Sequence, residues 1–205
     1  MKDIIIAVAD VYMEKVLEAL LHRVPQSSGT ATYTYDIIRN PGHDSGSYND
    51  SHELLRPFIT QYKFALVLFD LEGCGAEHNK TREEISKDVG DLLNKNGWEN
   101  RNEVIVIEPE LENWMWIDNH HVADAIGWED NESLYQWARN GGHIKNDKSK
   151  PDRPKETLEK ALRVSRTPKS AAIYKKIAGN VSYKKCTDES FLQLISKLQE
   201  WFPAV

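Results

Sequence analysis

The sequence predicts an α/β protein: a small, mainly parallel four-stranded sheet flanked by helices and continued by a helical C-terminal part. Two observations carry this. Apolar or β-branched runs alternate with helical patterns from Ile4 to Ile107, the arrangement of a parallel sheet covered on both faces. After Glu108 the strand patterns stop, and six segments with helical periodicity follow one another. Residues 1–118 are therefore expected to form the α/β core, and residues 119–205 a helical part packed on it.

Asp3-Ile4-Ile5-Ile6-Ala7-Val8 reads as the first strand, buried on both faces because its apolar run is continuous. Met13, Val16, Leu17, Leu20 and Leu21 recur at helical spacing, which predicts a helix from Tyr12 to His22. The β-branched and aromatic stretch Thr32 to Ile38 predicts the second strand. Asn40 to Ser47 reads as a loop by its glycines, proline and short polar residues. A short helix is expected from Ser51, as cap, to Thr60, with Leu54, Leu55 and Phe58 facing inward. Phe64 to Phe69 is the third strand, followed by a loop from Glu72 to Lys80. Thr81 caps a helix carrying Ile85, Val89, Leu92 and Leu93 and ending before Gly97. The fourth strand covers 103–107. Helices are then expected at Leu111–Trp116, Val122–Ile126, Leu134–Arg139, Pro154–Arg163, Ser170–Gly179 and Ser190–Phe202, with a polar loop from Asn140 to Asp152.

An apolar content of 40% across 205 residues suffices for a real core. No apolar run approaches the length of a membrane span, and Met1-Lys2-Asp3 leads straight into a strand. The expectation is a cytoplasmic protein without membrane contact. Cys74 and Cys186 form neither a disulfide framework nor a zinc motif. Acids beside Cys74 disfavour its thiolate and argue against a nucleophile.

The net charge of −6 conceals an asymmetry. Residues 1–138 hold 25 acids and 11 Lys/Arg, a net of −14, whereas residues 139–185 hold 4 acids and 14 Lys/Arg, a net of +10. A basic segment in an acidic chain can hold nucleic-acid phosphates, dock on the acidic half or on a partner, or simply decorate solvated helix faces. Its candidates for phosphate contact are Arg153, Lys155, Arg163, Arg166, Lys169 and Lys175.

Two carboxylate pairs leave the last two strands. Asp70-Leu71-Glu72 follows the third strand, and Glu108-Pro109-Glu110-Leu111-Glu112 follows the fourth. Acids at the C-terminal ends of buried strands lie where α/β sheets place ligands. Grouped acids repel one another unless they bind a cation or share a proton. Magnesium takes oxygen ligands and keeps several waters, so two or three carboxylates are enough to hold it. Asp70 and Glu72 both reach one ion if the chain turns, and Gly73 helps it to turn. Pro109 suits the first turn of a helix, and Glu110 within that turn complements the helix dipole. Glu112 is expected to be half-buried beside Trp114 and Trp116, and so to need a metal, an arginine or a proton. His43-Asp44 lies in the glycine-rich loop and can face the site. His78 follows the Asp70 acids. His120 and His121 are adjacent and on a helix would point about 100° apart, poorly placed to chelate one ion. No P-loop, dinucleotide-binding glycine fingerprint or serine-hydrolase elbow is present.

The element order, Asp70-x-Glu72 after a buried strand, and Pro109-Glu110-x-Glu112-x-Trp114 after the next resemble the Toprim fold. More narrowly they resemble the small Toprim-like proteins of bacterial restriction-modification and anti-phage (antiviral) defence loci. The stretches Arg153-Pro154-Lys155-Glu156, Ala172 to Ala178 and Cys186 to Phe191 are similar to the tail of that group, in particular to accessory proteins of methylation-associated defence systems. In Toprim enzymes a glutamate just after the first strand is the general acid/base, and an Asp-x-Asp pair after a later strand binds magnesium. The resemblance implies Asp70 and Glu72 as catalytic residues and ligands of Mg2+ (or Mn2+), with Glu110 and Glu112 as further metal ligands. Ala9 occupies the place of the first glutamate, and Asp10, one residue later, is the catalytic candidate that remains. Two functions follow as expectations. One is a metal-dependent nuclease or phosphodiester hydrolase acting on nucleic acid. The other is a catalytically degenerate accessory or sensor subunit that docks on a methyltransferase, ATPase or nuclease partner. Four tryptophans (Trp114, Trp116, Trp128 and Trp137) anchor an interface in the second reading, or belong to the core.

Overall fold

A computed structural model describes residues 1–117, 120–129, 132–180, 184 and 186–204. Strands β1 (Lys2–Val8), β2 (Tyr35–Arg39), β3 (Tyr62–Asp70) and β4 (Asn102–Ile107) form one parallel sheet in the order β2-β1-β3-β4. Ile6 lies opposite Ile37 on one side and Leu66 on the other, and Asp70 lies opposite Ile107. Successive side chains of a strand point to opposite faces, and here both faces are covered. Ile4, Ile6, Val8, Leu66, Leu68, Ile105 and Ile107 belong to one apolar cluster. Ile5, Ala7, Ala65, Val67, Phe69, Val104 and Val106 belong to the other. This is why β1 and β3, the two central strands, have continuous apolar sequences rather than alternating ones.

Helices α2 (His43–Leu55) and α3 (Arg82–Leu93) cover the second face. Thr81 starts α3 with a capping box: its hydroxyl accepts the Glu84 N–H, and the Glu84 carboxylate accepts the Thr81 N–H. The first face carries α1 (Val11–Ser28) together with the C-terminal helices α4 (His121–Ile126), α5 (Leu134–Asn140), α6 (Pro154–Val164), α7 (Ala171–Asn180) and α8 (Glu189–Trp201). Helix α7 packs along α1, and α8 along β4. The helical part thus completes the layer on one side of the sheet, and its apolar residues share a single core with β1, β3 and β4. Among the described residues, no helix is long and apolar enough to cross a membrane.

Four elements differ most from the sequence reading. Helix α1 runs through Pro25 to Ser28, because Val24 is still buried in the core, and it ends where Gly29 turns left-handed at φ 71°. Strand β2 starts at Tyr35, three residues later than expected. Helix α2 starts at His43, inside the stretch read as a loop, and gives way at Arg56 to a short 3-10 turn. Its glycines serve packing rather than chain reversal: a Cβ on Gly46 would stand 2.4 Å from the Asn40 side-chain oxygen. Ser51 is not a cap but a buried residue within α2, its hydroxyl donating to the Ser47 carbonyl at 2.5 Å. Finally, the expected helix from Leu111 is a 3-10 segment that stops at Trp114.

Candidate metal and phosphate site

In the order β2-β1-β3-β4, the chain passes from β1 to a neighbour on one side, and β3 lies on the other side of β1. The loops leaving β1 and β3 therefore diverge, and a crevice opens between them at the C-terminal edge of the sheet. Asp10 follows β1, and Asp70 is the last residue of β3. A cavity of about 180 Å³ sits here, lined by Asp10, Asp44, Asp70, Glu112, Lys155 and Lys169.

Each carboxylate that lines the cavity is held by a backbone or side-chain donor. Asp10 caps α1 and accepts the Met13 N–H at 2.9 Å. Asp44, in the first turn of α2, accepts the Asp70 N–H at 2.9 Å. Asp70 is buried and accepts the Leu111 N–H at 2.9 Å. Glu112, buried in the 3-10 segment, accepts the Tyr174 hydroxyl at 2.5 Å. Glu110 is buried beside the cavity; its Oε2 makes an ion pair with Lys155 Nζ at 3.3 Å and no hydrogen bond of good geometry. Lys169 lies 4.8 Å from the Tyr12 ring centre and pairs with Glu159 at 2.8 Å.

Burial and mutual repulsion push these acids toward protonation. Asp70 stands well above the ordinary carboxylate range, mainly through burial, then through Asp44 and Glu112, with Lys155 opposing. Asp44 is raised by burial and by Asp10, against the pull of the Asp70 N–H. Glu110 is pushed up to about 7 by burial, with Lys155 opposing. Glu112 is raised by burial, against the Tyr174 hydroxyl. Burial disfavours the charge on Lys155, yet Glu110, Glu112 and Asp70 together hold its ammonium well above the usual lysine range. A crowded set of acids with one strongly held ammonium is relieved either by protonation or by further bound positive charge.

The structure divides the residues singled out in the sequence. Asp10, Asp70, Glu112, Lys155 and Lys169 line the cavity, and Glu110 adjoins it through Lys155. Glu72 does not line it. The Leu71 and Glu72 N–H groups continue onto the Ile107 and Pro109 carbonyls, at 2.8 and 3.1 Å. The chain turns only at Gly73, φ 93°, too late to bring Glu72 inward, so its side chain is exposed. Glu110 is not inside a first helical turn: it occupies the capping position, and Glu112 lies within the turn. The other basic candidates lie away from the cavity. Arg153 pairs with Glu156 at 3.0 Å, Arg163 meets Glu159 at 3.9 Å, and Lys175 meets Glu18 at 2.8 Å. Arg166 is exposed beside Trp128. The pairs of Lys155 with Glu110 and Lys175 with Glu18 join the basic segment to the acidic half of the chain.

Two participants lie outside the site residues that the sequence singles out. Asp44 reads from sequence only as part of a loop pair that can face the site, and it is α2, starting at His43, that brings its carboxylate to the Asp70 N–H. Tyr174 belongs to an ordinary helical pattern, and its role depends on α7 crossing above Glu112. Trp114 and Trp116 are core residues, buried to within 1% of full coverage, and are not available as interface anchors. Cys74 is buried, which pushes its thiol up and away from nucleophilic use. The adjacent histidines also depart from expectation. His120 precedes α4 rather than lying in it, so the His120 and His121 rings stand 4.2 Å apart. With Asp124 they make the one group of three among the described residues whose ligand atoms lie within 4.8 Å of one another, and it is on the surface. The oxygens of the cavity acids are more widely spread than that. As placed, no three of them can ligate one small cation directly, so an ion here would take one or two carboxylates and complete its shell with waters.

No family model, no curated protein and no solved structure matches this chain.

Proposed function

We propose that the chain is a divalent-cation-dependent phosphodiester hydrolase acting on nucleic acid, in the setting of bacterial anti-phage defence that its resemblance implies. The observation that carries the reading is the meeting of Asp10, Asp44, Asp70 and Glu112 with Lys155 and Lys169 in one crevice at the switch point of the sheet. The residues fit Mg2+ or Mn2+. Hard oxygen donors predominate, their shared repulsion calls for positive charge, and the buried Glu110 Oε2 has only an ion pair to offset it. Asp70 and Asp44 would hold the ion, with Glu112 behind them. When bound, such an ion polarises a phosphoryl oxygen and makes a hydroxide available near neutral pH.

The remaining groups belong to the chain itself. Lys155 stays charged under all ordinary conditions and is placed to hold a phosphate oxygen; Lys169, also in the lining, adds a second cation. Asp10, its carboxylate oriented by the Met13 N–H, is the group placed to accept the proton of the attacking water. Purified protein with Mg2+ or Mn2+ is expected to nick plasmid DNA or cleave RNA, and Asp70→Asn to reduce the rate at least a hundredfold. Equal cleavage by the variant overturns the reading.

A second reading rests on Ala9, which stands where the resemblance expects a catalytic glutamate. The same crevice would then hold a cation or phosphate in an accessory subunit of a methyltransferase, ATPase or nuclease assembly. Cation binding by calorimetry together with absent cleavage on DNA and RNA selects it.

A further inference from the structure

A second and larger cavity, about 680 Å³, opens beside the acidic one at the C-terminal ends of β1 and β2. The two share Ala9, Asp10 and Tyr12 as a common wall. Their characters differ. The acidic cavity is small and charged. The larger one is lined by Ile37, on the sheet face that Tyr12 shares, by Ile38, on the opposite face, and by Pro41. Ile37 and Ile38 are only half-buried, although both belong to a sheet whose other isoleucines are fully covered. Polar groups sit among the lining. Arg39 meets Glu14 through its Nε at 3.2 Å, and 58% of its side chain is exposed, so its remaining donors face solvent.

A cavity of this size, with apolar residues and a few polar groups among its lining, has the form of a site for a small organic ligand. Its neighbour restricts the chemistry. Whatever occupies it lies next to the Asp10 carboxylate and next to the Tyr12 ring, over which Lys169 is placed at 4.8 Å. Tyr12 is itself fixed, its ring 4.7 Å from that of Tyr174. A flat aromatic group with hydrogen-bonding edges, joined by a short polar link to a phosphate, matches both cavities at once. Ile37 and Tyr12, on one face of the sheet, suit the face of a base, and stacking of that kind is tolerant of base identity. Arg39 and Glu14 offer a donor and an acceptor to its edge. We infer that this cavity takes the nucleobase and sugar of the nucleotide whose phosphate lies in the acidic cavity. The inference rests on the reading of the acidic cavity as a phosphate seat, and it assigns the substrate a nucleoside-sized recognition element at β2.

Free nucleosides test it, because they carry no phosphate and need no cation. Calorimetric titration with adenosine, guanosine, cytidine and uridine, in chelator and again with Mn2+, is expected to show saturable binding of at least one of them, equal in the two conditions. Ile38→Trp, which fills the cavity, is expected to weaken that binding tenfold or more while Mn2+ binding and the melting temperature stay at wild-type values. Should Ile38→Trp fail to fold, the exposed Arg39→Glu supplies the second variant, with a loss of at least threefold expected. Crystals soaked with 5-bromouridine or 8-bromoguanosine are expected to place the bromine signal beside Ile38. Absence of binding by every nucleoside, unchanged binding by the variants, or bromine located elsewhere overturns the inference. Wild-type protein that binds nucleosides but cleaves no nucleic acid sinks the hydrolase reading and leaves this pocket standing. Cleavage without nucleoside binding does the reverse.

Discussion

The Asp44 carboxylate accepts the Asp70 backbone N–H at 2.9 Å and so ties the first turn of α2 to the end of β3. The bond places two carboxylates side by side at the C-terminal edge of the sheet, where Asp44 raises the cost of ionising Asp70. Two substitutions separate charge from position. Asp44→Asn keeps an acceptor for the Asp70 N–H and removes the charge, so it is expected to weaken Mn2+ binding while leaving the fold nearly as stable. Asp44→Ala also leaves a buried N–H without an acceptor, and is expected to cost a further ~1–3 kcal/mol in urea denaturation. Equal stability of the two variants would show that the bond positions nothing.

Asp70→Asn is expected to act in opposite directions on stability and function. Asparagine can still accept the Leu111 N–H, now without a buried charge facing Asp44 and Glu112. In chelator the variant is expected to melt at a higher temperature than the wild type, by an amount equivalent to about 1–2 kcal/mol. The rise in melting temperature that Mn2+ gives the wild type should disappear. Thermal scans with and without Mn2+ read both effects, and a variant that melts lower in chelator contradicts the account of repulsion.

Removal of one hydroxyl isolates the support of Glu112. Tyr174→Phe leaves a buried carboxylate oxygen without its 2.5 Å donor. A loss of about 1–3 kcal/mol is expected in urea denaturation at neutral pH. The loss should shrink in acid, where Glu112 protonates and needs the hydroxyl less. A constant loss across pH would mean that the hydroxyl contributes through packing against Tyr12 alone.

The raised carboxyl groups also set a pH dependence with a definite sign. Glu110 titrates at about 7 in the fold against 4.5 for an ordinary glutamate. Between those values the folded state holds more protons than the unfolded one, so stability falls as pH rises from 4.5 through 7. Asp70, Asp44 and Glu112 are displaced in the same direction and reinforce the trend. In chelator, urea denaturation is expected to show maximal stability at the acidic side of this window and a loss on the order of a few kcal/mol across it. Saturating Mn2+ should flatten or reverse the slope, because a cation favours the ionised acids. A rise in stability with pH in chelator would refute the electrostatic picture of the cavity.

Periodicity was enough to read the sheet. The uninterrupted runs at Ile4–Val8 and Phe64–Phe69 can be buried on both faces only in the interior of a parallel sheet, and they form its two central strands. The helix starting after Thr81 was legible because its capping box lies within four consecutive residues. Helix α2 was not legible, since Gly42 and Gly46 look like loop residues until Asn40 is seen packed against them. Asp70 stood out because it ends a buried strand, a property of neighbouring residues in the chain. Glu72 stays outside the cavity because whether a chain turns one residue earlier or later depends on its bonds, here to Ile107 and Pro109, and not on its composition.

What chain-local patterns carry, therefore, is the set of strands and helices and the edge of the sheet where acids collect. What they do not carry is which distant groups meet there. Asp44, Lys155, Lys169 and Tyr174 reach Asp70 and Glu112 from α2, from α6, from just before α7 and from its first turn, through crossings fixed by packing on both faces of the sheet. The ionisation of each acid depends on those neighbours and on burial, and neither is a property of the residue's own segment. The sequence points to the crevice; the fold supplies the partners that give it chemistry.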